Sequence, residues 1–236
     1  ESNMVMGLTN KLFYFFSKKI IFGWGDNKKN KKNKKFFYIR NPVRKKVLNL
    51  RKKVKFNENK KKINILIVGG SQGAAIFDNI IPKSFNLLPY QIKKKLFVYH
   101  QCSKKNFEIV KRNYTKNKIR FSCKPFFNNL PDIMFKSQFI ISRSGSSTLS
   151  EIITLGKASI LIPYKFAKNN HQEENAKWLE RNKASVIIKE DSLSEVNLKN
   201  KILFFIKNKN FLKKMSKNSF SLGDEDSLLK LSKLIY

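Results

Sequence analysis

Short apolar runs alternate with longer amphipathic stretches from residue 63 onward. The runs are typical of strands buried on both faces of a sheet, and the stretches between them favour helices. We predict six strands, at residues 63–68, 96–99, 119–122, 139–142, 160–163 and 186–188. Strands that alternate with helices predict an α/β fold with a Rossmann-like, doubly wound parallel sheet.

The two ends of the chain have a different pattern. Residues 1–25 are a short apolar piece with glycine breaks, which favours a helix, and residues 36–39 favour a short strand. Residues 45–62 are charged and predict an interdomain linker, which leads into an α/β domain at residues 63–215. Residues 216–236 predict a C-terminal helix, and whether it crosses back to the N-terminal residues is left open.

The composition narrows the class of partner. The formal net charge of +34 favours an anionic partner, either nucleic acid, a membrane surface or a phosphorylated substrate. Most of the 50 basic residues are Lys, however, and an AT-rich genome encodes the same excess of Lys, Asn, Ile and Phe. Base readout relies on Arg, so no specific nucleic acid is predicted. The lysine run at 28–35 is either a solvated loop or a membrane or nucleic-acid patch.

Metal and redox chemistry has little support in the sequence. Two His and two Cys without metal-ligand spacing predict no metal site, and no cofactor is predicted. Cys102 and Cys123 are expected to be reduced thiols of a cytosolic protein. The sequence shows no signal peptide and no membrane-spanning run. It begins with Glu1 rather than Met, so upstream sequence is expected to be missing.

The segment at 143–151 carries the strongest chemical pattern. After an apolar strand it turns at Gly145 and opens a helix, whose first turn offers free backbone N–H groups to an anion. Thr148 and Glu151 share one face of that helix. A diphosphate at the helix start, with ribose hydroxyls on Glu151, would make a nucleotide-sugar site. The alternative is an ordinary helix that Ser144 or Ser146 caps.

Other turns carry weaker patterns. Glycines around Ser71 and Gln72 resemble a phosphate-cradling loop, or else a tight strand–helix turn. The amides of Gln172 and Asn175 open another helix and suit sugar hydroxyls. His171 beside them is a possible general base, although a lone His is more often structural.

Two single residues complete the candidate chemistry. The backbone around Phe127 could read a base edge, or the loop could be a hydrophobic plug. Arg44 follows an Asn-Pro turn, where its guanidinium could neutralise a diphosphate.

Five ordered motifs together resemble one family. They are Asn41-Pro42-Val43-Arg44, residues 69–74, His100-Gln101, residues 143–151 and His171-Gln172-x-x-Asn175-Ala176. This set is similar to the MurG family, the bacterial peptidoglycan N-acetylglucosaminyltransferases of the GT-B fold. Glu1-Ser2-Asn3 and Gly7-Leu8-Thr9-Asn10 resemble the end of the family's N-terminal domain. Residues 1–44 are therefore expected to be a remnant of an N-terminal acceptor domain.

The resemblance implies a reaction and a location. N-acetylglucosamine passes with inversion from UDP-N-acetylglucosamine to lipid I, the undecaprenyl-pyrophosphoryl-muramyl-pentapeptide, and lipid II forms for peptidoglycan synthesis. The implied enzyme is peripheral to the cytoplasmic face of the bacterial inner membrane, with an anionic membrane surface as a partner. The implied donor site contains Asn3, Arg44, Ser71, Gln72, Phe127, Gly145, Ser146, Ser147, Thr148, Leu149, Ser150, Glu151, His171, Gln172 and Asn175.

The resemblance also assigns roles within this site. Glu151 holds the ribose, and residues 146–148 meet the diphosphate together with Ser71 and Arg44. The backbone around Phe127 meets uracil. Gln172 and Asn175 hold the sugar, and Asn3 lines the cleft from the other domain.

Departures from the family pattern limit the expected activity. The N-terminal Gly-Gly-His loop is absent, so the catalytic base is unknown and is expected in a missing N-terminal domain. Ser2 replaces a Gln, and Cys102-Ser103 replaces Thr/Ser-Gly. We therefore expect donor binding without efficient transfer. Two alternatives remain: another GT-B UDP-sugar transferase, or a basic membrane- or nucleic-acid-binding module with a degenerate site.

Overall fold

The computed structural model describes residues 1–25, 35–56, 62–70 and 74–235. The predicted lysine run at 28–35 lies almost entirely outside these residues. Eight strands are present in the described residues: β1 Ile20–Phe22, β2 Phe36–Tyr38, β3 Ile63–Val68, β4 Leu96–Gln101, β5 Arg120–Lys124, β6 Phe139–Ser142, β7 Ala158–Leu161 and β8 Ser185–Ile187.

Eleven α-helices lie in the same described ranges. They are α1 Leu8–Leu12, α2 Lys45–Arg51, α3 Ala75–Asn86, α4 Tyr90–Lys93, α5 Phe107–Lys116, α6 Leu130–Lys136, α7 Ser146–Thr154, α8 His171–Arg181, α9 Glu195–Lys207, α10 Lys209–Leu222 and α11 Ser227–Ile235. None of them is long and apolar enough to cross a bilayer.

The main sheet confirms the predicted fold class. Six parallel strands lie in the order β5-β4-β3-β6-β7-β8, and each corresponds to a predicted strand. The strand predicted at 160–163 begins earlier, at Ala158, and ends at Leu161. Pro163 has no N–H to donate to a neighbouring strand, which explains why the apolar run outlasts the strand.

Side chains of the central strands alternate between two core layers. In β3, Ile65 and Ile67 face one layer, which α3, α5, α9 and α10 cover, whereas Leu66 and Val68 face the other. The second layer is covered by α2, α6, α7 and α8. Both faces of the sheet are therefore buried, which explains why its strands are continuous apolar runs rather than alternating ones.

The N-terminal residues form a small unit that the sequence predicted only in part. The helix predicted over residues 1–25 is confined to α1, and β1 pairs in parallel with β2. The β-branched Ile20 and Ile21 favour this strand locally. The predicted linker at 45–62 begins with α2, whose Val47 and Leu50 are buried against the sheet domain.

The C-terminal helices also differ from their predicted boundary. The predicted division at residue 216 falls inside α10, which is continuous until Gly223 ends it. The chain then returns toward the N-terminal residues: Arg40 Nε donates to the Leu222 carbonyl (3.1 Å), and Lys19 Nζ donates to the Leu234 carbonyl (2.6 Å).

One glycine at the end of α7 is required by the fold itself. Gly156 has φ +59°, and a Cβ there would lie 2.8 Å from the Cβ of Phe220 in α10. We expect Gly156→Ala to lower the free energy of unfolding by about 2 kcal/mol, because left-handed backbone strain adds to this contact. Urea denaturation measures the change, and a loss below about 0.5 kcal/mol would contradict the tight packing of α7 on α10.

Candidate functional site

The predicted turns meet at one edge of the sheet. The carboxyl ends of β3, β6 and β7 are aligned, with Val68 beside Ser142 and Ser142 beside Leu161. The chain reverses its direction of travel across the sheet between β3 and β6, and in such sheets the ligand lies at this point. Ser71 and Gln72 lie outside the described residues, so their phosphate contacts stay predictions.

The start of α7 is open to a ligand. Among the described residues, the N–H groups of Ser146, Ser147 and Thr148 have no hydrogen-bond partner, and no side chain caps the helix. Gly145 has φ −66°, which any residue adopts, yet a Cβ built there has no atom within 4 Å. The backbone conformation therefore does not require a glycine at this position. A larger residue would instead fill the open space in front of the helix.

Three residues of α7 that were predicted to bind the donor make contacts within the protein instead. Leu149 is fully buried in the core and its N–H donates to the Gly145 carbonyl (3.0 Å), so neither its side chain nor its N–H is open to a ligand. The Ser150 hydroxyl is buried and donates to the Ser146 carbonyl (2.9 Å). The Ser146 hydroxyl accepts from Asn41 Nδ2 (2.7 Å) and Trp24 Nε1 (3.0 Å), and only its backbone N–H remains open.

Glu151 and Arg44 form a bidentate ion pair. Arg44 Nε and Nη2 donate to the two carboxylate oxygens at 2.6 and 2.7 Å. This hydrogen bonding raises the pKa of the Arg44 guanidinium. The Arg44 side chain is 48% exposed and that of Glu151 is 11% exposed. The pair leaves lone pairs on the carboxylate and three guanidinium N–H groups without a partner in the described residues.

The start of α8 lies against the turn after β6. The Ser144 hydroxyl donates to the Gln172 carbonyl (2.7 Å), and Gln172 Oε1 accepts from the N–H of Tyr164 (3.1 Å). The two helices therefore begin side by side. His171 Nδ1 donates to the Lys168 carbonyl (2.7 Å).

Asn175, which was predicted to hold the sugar, has its side-chain amide bound within the protein. Its side chain is fully buried, accepts from the N–H of Met4 (2.9 Å) and donates to Asn3 Oδ1 and the Ser144 carbonyl. All of the amide's atoms thus have protein partners. Asn175 binds the N-terminal segment to the sheet domain, and Asn3 is its partner there.

The loop after β5 is partly a core element. The Phe127 side chain is buried and packs edge-on against Tyr99, which supports the hydrophobic plug. The Phe127 carbonyl accepts from the N–H of Leu130 (3.2 Å). A base contact through its backbone N–H stays a prediction.

The profile of the glycosyltransferase family 28 C-terminal domain matches residues 64–231. The chain is a member of glycosyltransferase family 28. The matched region contains the whole six-stranded sheet except for Ile63, and it contains the starts of α7 and α8.

Curated relatives extend the likeness to the N-terminal residues. Proteins of a Wolbachia strain from Drosophila simulans and of Buchnera aphidicola are 32% and 34% identical over the whole of this chain. Both are named UDP-N-acetylglucosamine–N-acetylmuramyl-(pentapeptide) pyrophosphoryl-undecaprenol N-acetylglucosamine transferase, which confirms the predicted resemblance to the MurG family. The chain spans 66% and 64% of their lengths.

A solved structure supports the same fold. MurG of Acinetobacter baumannii superposes on the whole chain with a TM-score of 0.82 at 23% identity, and 65% of that protein is covered. Spinosyn forosaminyltransferase, another glycosyltransferase, has a TM-score of 0.60 at 11% identity and shares the fold, with 93% of this chain and 55% of that one covered.

The candidate site is held in place by a buried residue, Arg143, in the turn before α7. Arg143 is buried and donates to the carbonyls of Ile162 and Pro163 and to both carboxylate oxygens of Glu190, at 3.0–3.1 Å. It thereby ties the turn after β6 to the turn after β7. Among the described residues, no cluster of His, Cys, Asp and Glu could hold a metal ion.

Sequence reasoning missed two residues of the candidate site. Trp24 and Asn41 both donate to the Ser146 hydroxyl, across more than 100 residues of chain. The sequence did offer a clue to Asn41, because this residue lies in the Asn-Pro-Val-Arg motif. The sequence offered no clue to Trp24, because its indole N–H meets its partner only in the folded chain.

Proposed function

We propose that this chain is the donor-binding part of an inverting N-acetylglucosaminyltransferase of the MurG type. The donor would be UDP-N-acetylglucosamine, and the acceptor would be lipid I, held together with an N-terminal acceptor domain. The single observation that carries the proposal is the uncapped start of α7 beside the Arg44–Glu151 pair. The family membership supports it, and the share of the relatives' length that the chain lacks is where we expect the catalytic base.

The donor would be held by groups that are open in the structure. The N–H groups of residues 146–148 would bind the diphosphate at the positive end of α7. Glu151 would accept ribose hydroxyls on its remaining lone pairs, while the free N–H groups of Arg44 would face the phosphates. Gln172 would contact the hexose through Nε2, which has no partner among the described residues.

This arrangement would act mainly on the leaving group. Negative charge develops on UDP as the glycosidic bond breaks, and the helix start and Arg44 would stabilise that charge. The acceptor hydroxyl needs a general base for attack with inversion. We infer that the N-terminal domain supplies it, so this chain alone would bind donor without efficient transfer.

The proposed location is the cytoplasmic face of the bacterial inner membrane, with peripheral attachment. The net charge of +34 supports attraction to an anionic membrane surface. Lipid I is membrane-anchored, so a peripheral position would place the donor site near its acceptor.

Calorimetry tests the donor site directly. UDP is expected to bind the folded chain, and Glu151→Ala is expected to weaken binding by about 1.5–3 kcal/mol through the loss of charged hydrogen bonds. The matched control is Glu225→Ala, which removes a Glu–Arg contact to Arg51 (3.9 Å) away from the site and should leave the affinity unchanged. A folded chain without UDP affinity would overturn the proposal.

Competition separates the remaining alternatives. UDP-N-acetylglucosamine should displace labelled UDP more effectively than UDP-galactose does, whereas the reverse order would favour another GT-B transferase. A steep salt dependence of nucleic-acid binding, with no effect of nucleotide, would favour a basic binding module instead.

A further inference from the structure

The two cysteines of the chain meet in the folded structure. The Sγ atoms of Cys102 and Cys123 lie 2.8 Å apart, and both thiols are free. Cys123 belongs to β5, and Cys102 directly follows β4, where its N–H donates to the Lys124 carbonyl (3.1 Å). The strand pairing therefore holds the two side chains against each other at the carboxyl edge of the sheet.

The surroundings make the two sulfurs unequal. Both residues are buried, Cys102 at 1% and Cys123 at 8% exposed. The hydrogen bond between the two sulfurs lowers the pKa of the Cys102 thiol. The same bond, together with burial, raises the pKa of Cys123. Cys102 is therefore the sulfur that more readily becomes a thiolate, which is the reactive form.

We propose that Cys102 and Cys123 are an oxidative modification site, which a small peroxide converts into a reversible intramolecular disulfide. Cys102 releases its proton, the thiolate attacks one peroxide oxygen and the O–O bond breaks. Cys102 sulfenic acid forms, and the other oxygen leaves as hydroxide, which takes up the released proton and becomes water. Cys123 then attacks the Cys102 sulfur, the S–S bond forms, and the sulfenic oxygen leaves with the Cys123 proton as a second water. Two thiols lose two electrons, and the peroxide gains them.

The fold accommodates both redox states. A disulfide places its sulfurs about 2.05 Å apart, so the two sulfur atoms approach by less than about 1 Å. The bond would join the ends of β4 and β5, directly before the turns that contain Ser103 and Phe127. A thiol reductant reverses the reaction by exchange.

Intact-mass spectrometry of the full chain tests the proposal. After exposure to a small excess of hydrogen peroxide, the folded chain should lose two hydrogen atoms, and dithiothreitol should restore them. The same treatment in denaturant is the control, because it separates the sulfurs. The disulfide yield there is expected to be about tenfold lower, since the preset proximity is lost. Equal yields, or sulfinic acid as the main product of the folded chain, would overturn the proposal.

A single substitution identifies the attacking sulfur. In Cys123→Ser the second thiol is absent, so Cys102 sulfenic acid should persist and react with dimedone. In Cys102→Ser the yield of dimedone adduct should be lower, because the remaining thiol has the raised pKa. The reverse order would contradict the proposed sequence of steps. If either variant fails to fold, the comparison of folded and denatured unmodified chain still decides the main claim.

Discussion

Gly145→Val is expected to lower the affinity for UDP on the order of 100-fold, because two charged hydrogen bonds at the start of α7 would be lost. The backbone at Gly145 has φ −66° and ψ 136°, which valine adopts without strain. The space in front of it is open, so the new side chain meets no described protein atom within contact distance at its Cβ. It would instead occupy the approach of a diphosphate to the N–H groups of residues 146–148.

A stability measurement shows whether a loss of UDP affinity comes from the binding site or from unfolding of the chain. Gly145→Val should change the free energy of unfolding by no more than about 1 kcal/mol, the range of helix-capping effects. Gly156→Ala is the matched control at the other end of α7, and it should show the opposite pattern of reduced stability with unchanged UDP affinity. If Gly145→Val binds UDP as tightly as the unmodified chain, the start of α7 is not the diphosphate site.

The sequence predicted the sheet well because its strands are buried on both faces. Continuous apolar runs such as 63–68 and 139–142 leave little choice of structure, and β3 and β6 have the predicted bounds. The turn at Gly145 was equally predictable from the sequence, since a strand, this glycine and a helix follow one another directly. These features depend on neighbours in sequence, and local pattern is sufficient to predict them.

The site itself was less predictable because its bonds cross the chain. Asn175 and Gln172 look alike in sequence, yet only the fold shows that Asn175 is fully buried against Met4 and Ser144. Arg44 was expected at a diphosphate and Glu151 at a ribose, and nothing local shows that the two residues pair. Hydrogen bonds of this kind depend on tertiary packing. A sequence motif therefore predicts which residues belong to a site, but it does not predict which residues they bind.

Arg143→Met is expected to lower the free energy of unfolding by about 3–5 kcal/mol, the cost of breaking a buried ion pair. The side chains of Arg143 and Glu190 are only 10% and 9% exposed. Methionine fills most of the volume but donates no hydrogen bond, so the carbonyls of Ile162 and Pro163 lose this partner and the Glu190 carboxylate keeps only the N–H of Lys165. Urea denaturation at neutral pH measures the loss.

A neighbouring pair supplies the control for this prediction. Lys165, in the turn after β7, and Asp191, next to Glu190, form a 2.8 Å ion pair that is largely exposed. Lys165→Met should therefore cost less than about 1 kcal/mol. Adding Glu190→Leu to Arg143→Met should recover part of the loss, because no charge is then left buried. Equal effects of Arg143→Met and Lys165→Met would show that burial does not set the strength of the Arg143 pair.

The pH dependence of stability should change with the same substitution. Burial raises the pKa of Glu190, but hydrogen bonds from Arg143 and from the N–H of Lys165 outweigh it, and the net pKa lies below its ordinary value. A carboxylate with a lowered pKa stabilises the fold above its unfolded pKa of about 4.3 and loses that contribution as the pH falls through its folded pKa. In Arg143→Met burial dominates and raises the folded pKa of Glu190 above about 4.3, so the stability difference from the unmodified chain should begin to shrink as the pH falls through that raised pKa and should shrink further below about 4.3. A difference that stays constant from neutral to acidic pH would mean that the ionised Glu190 carboxylate is not what Arg143 stabilises.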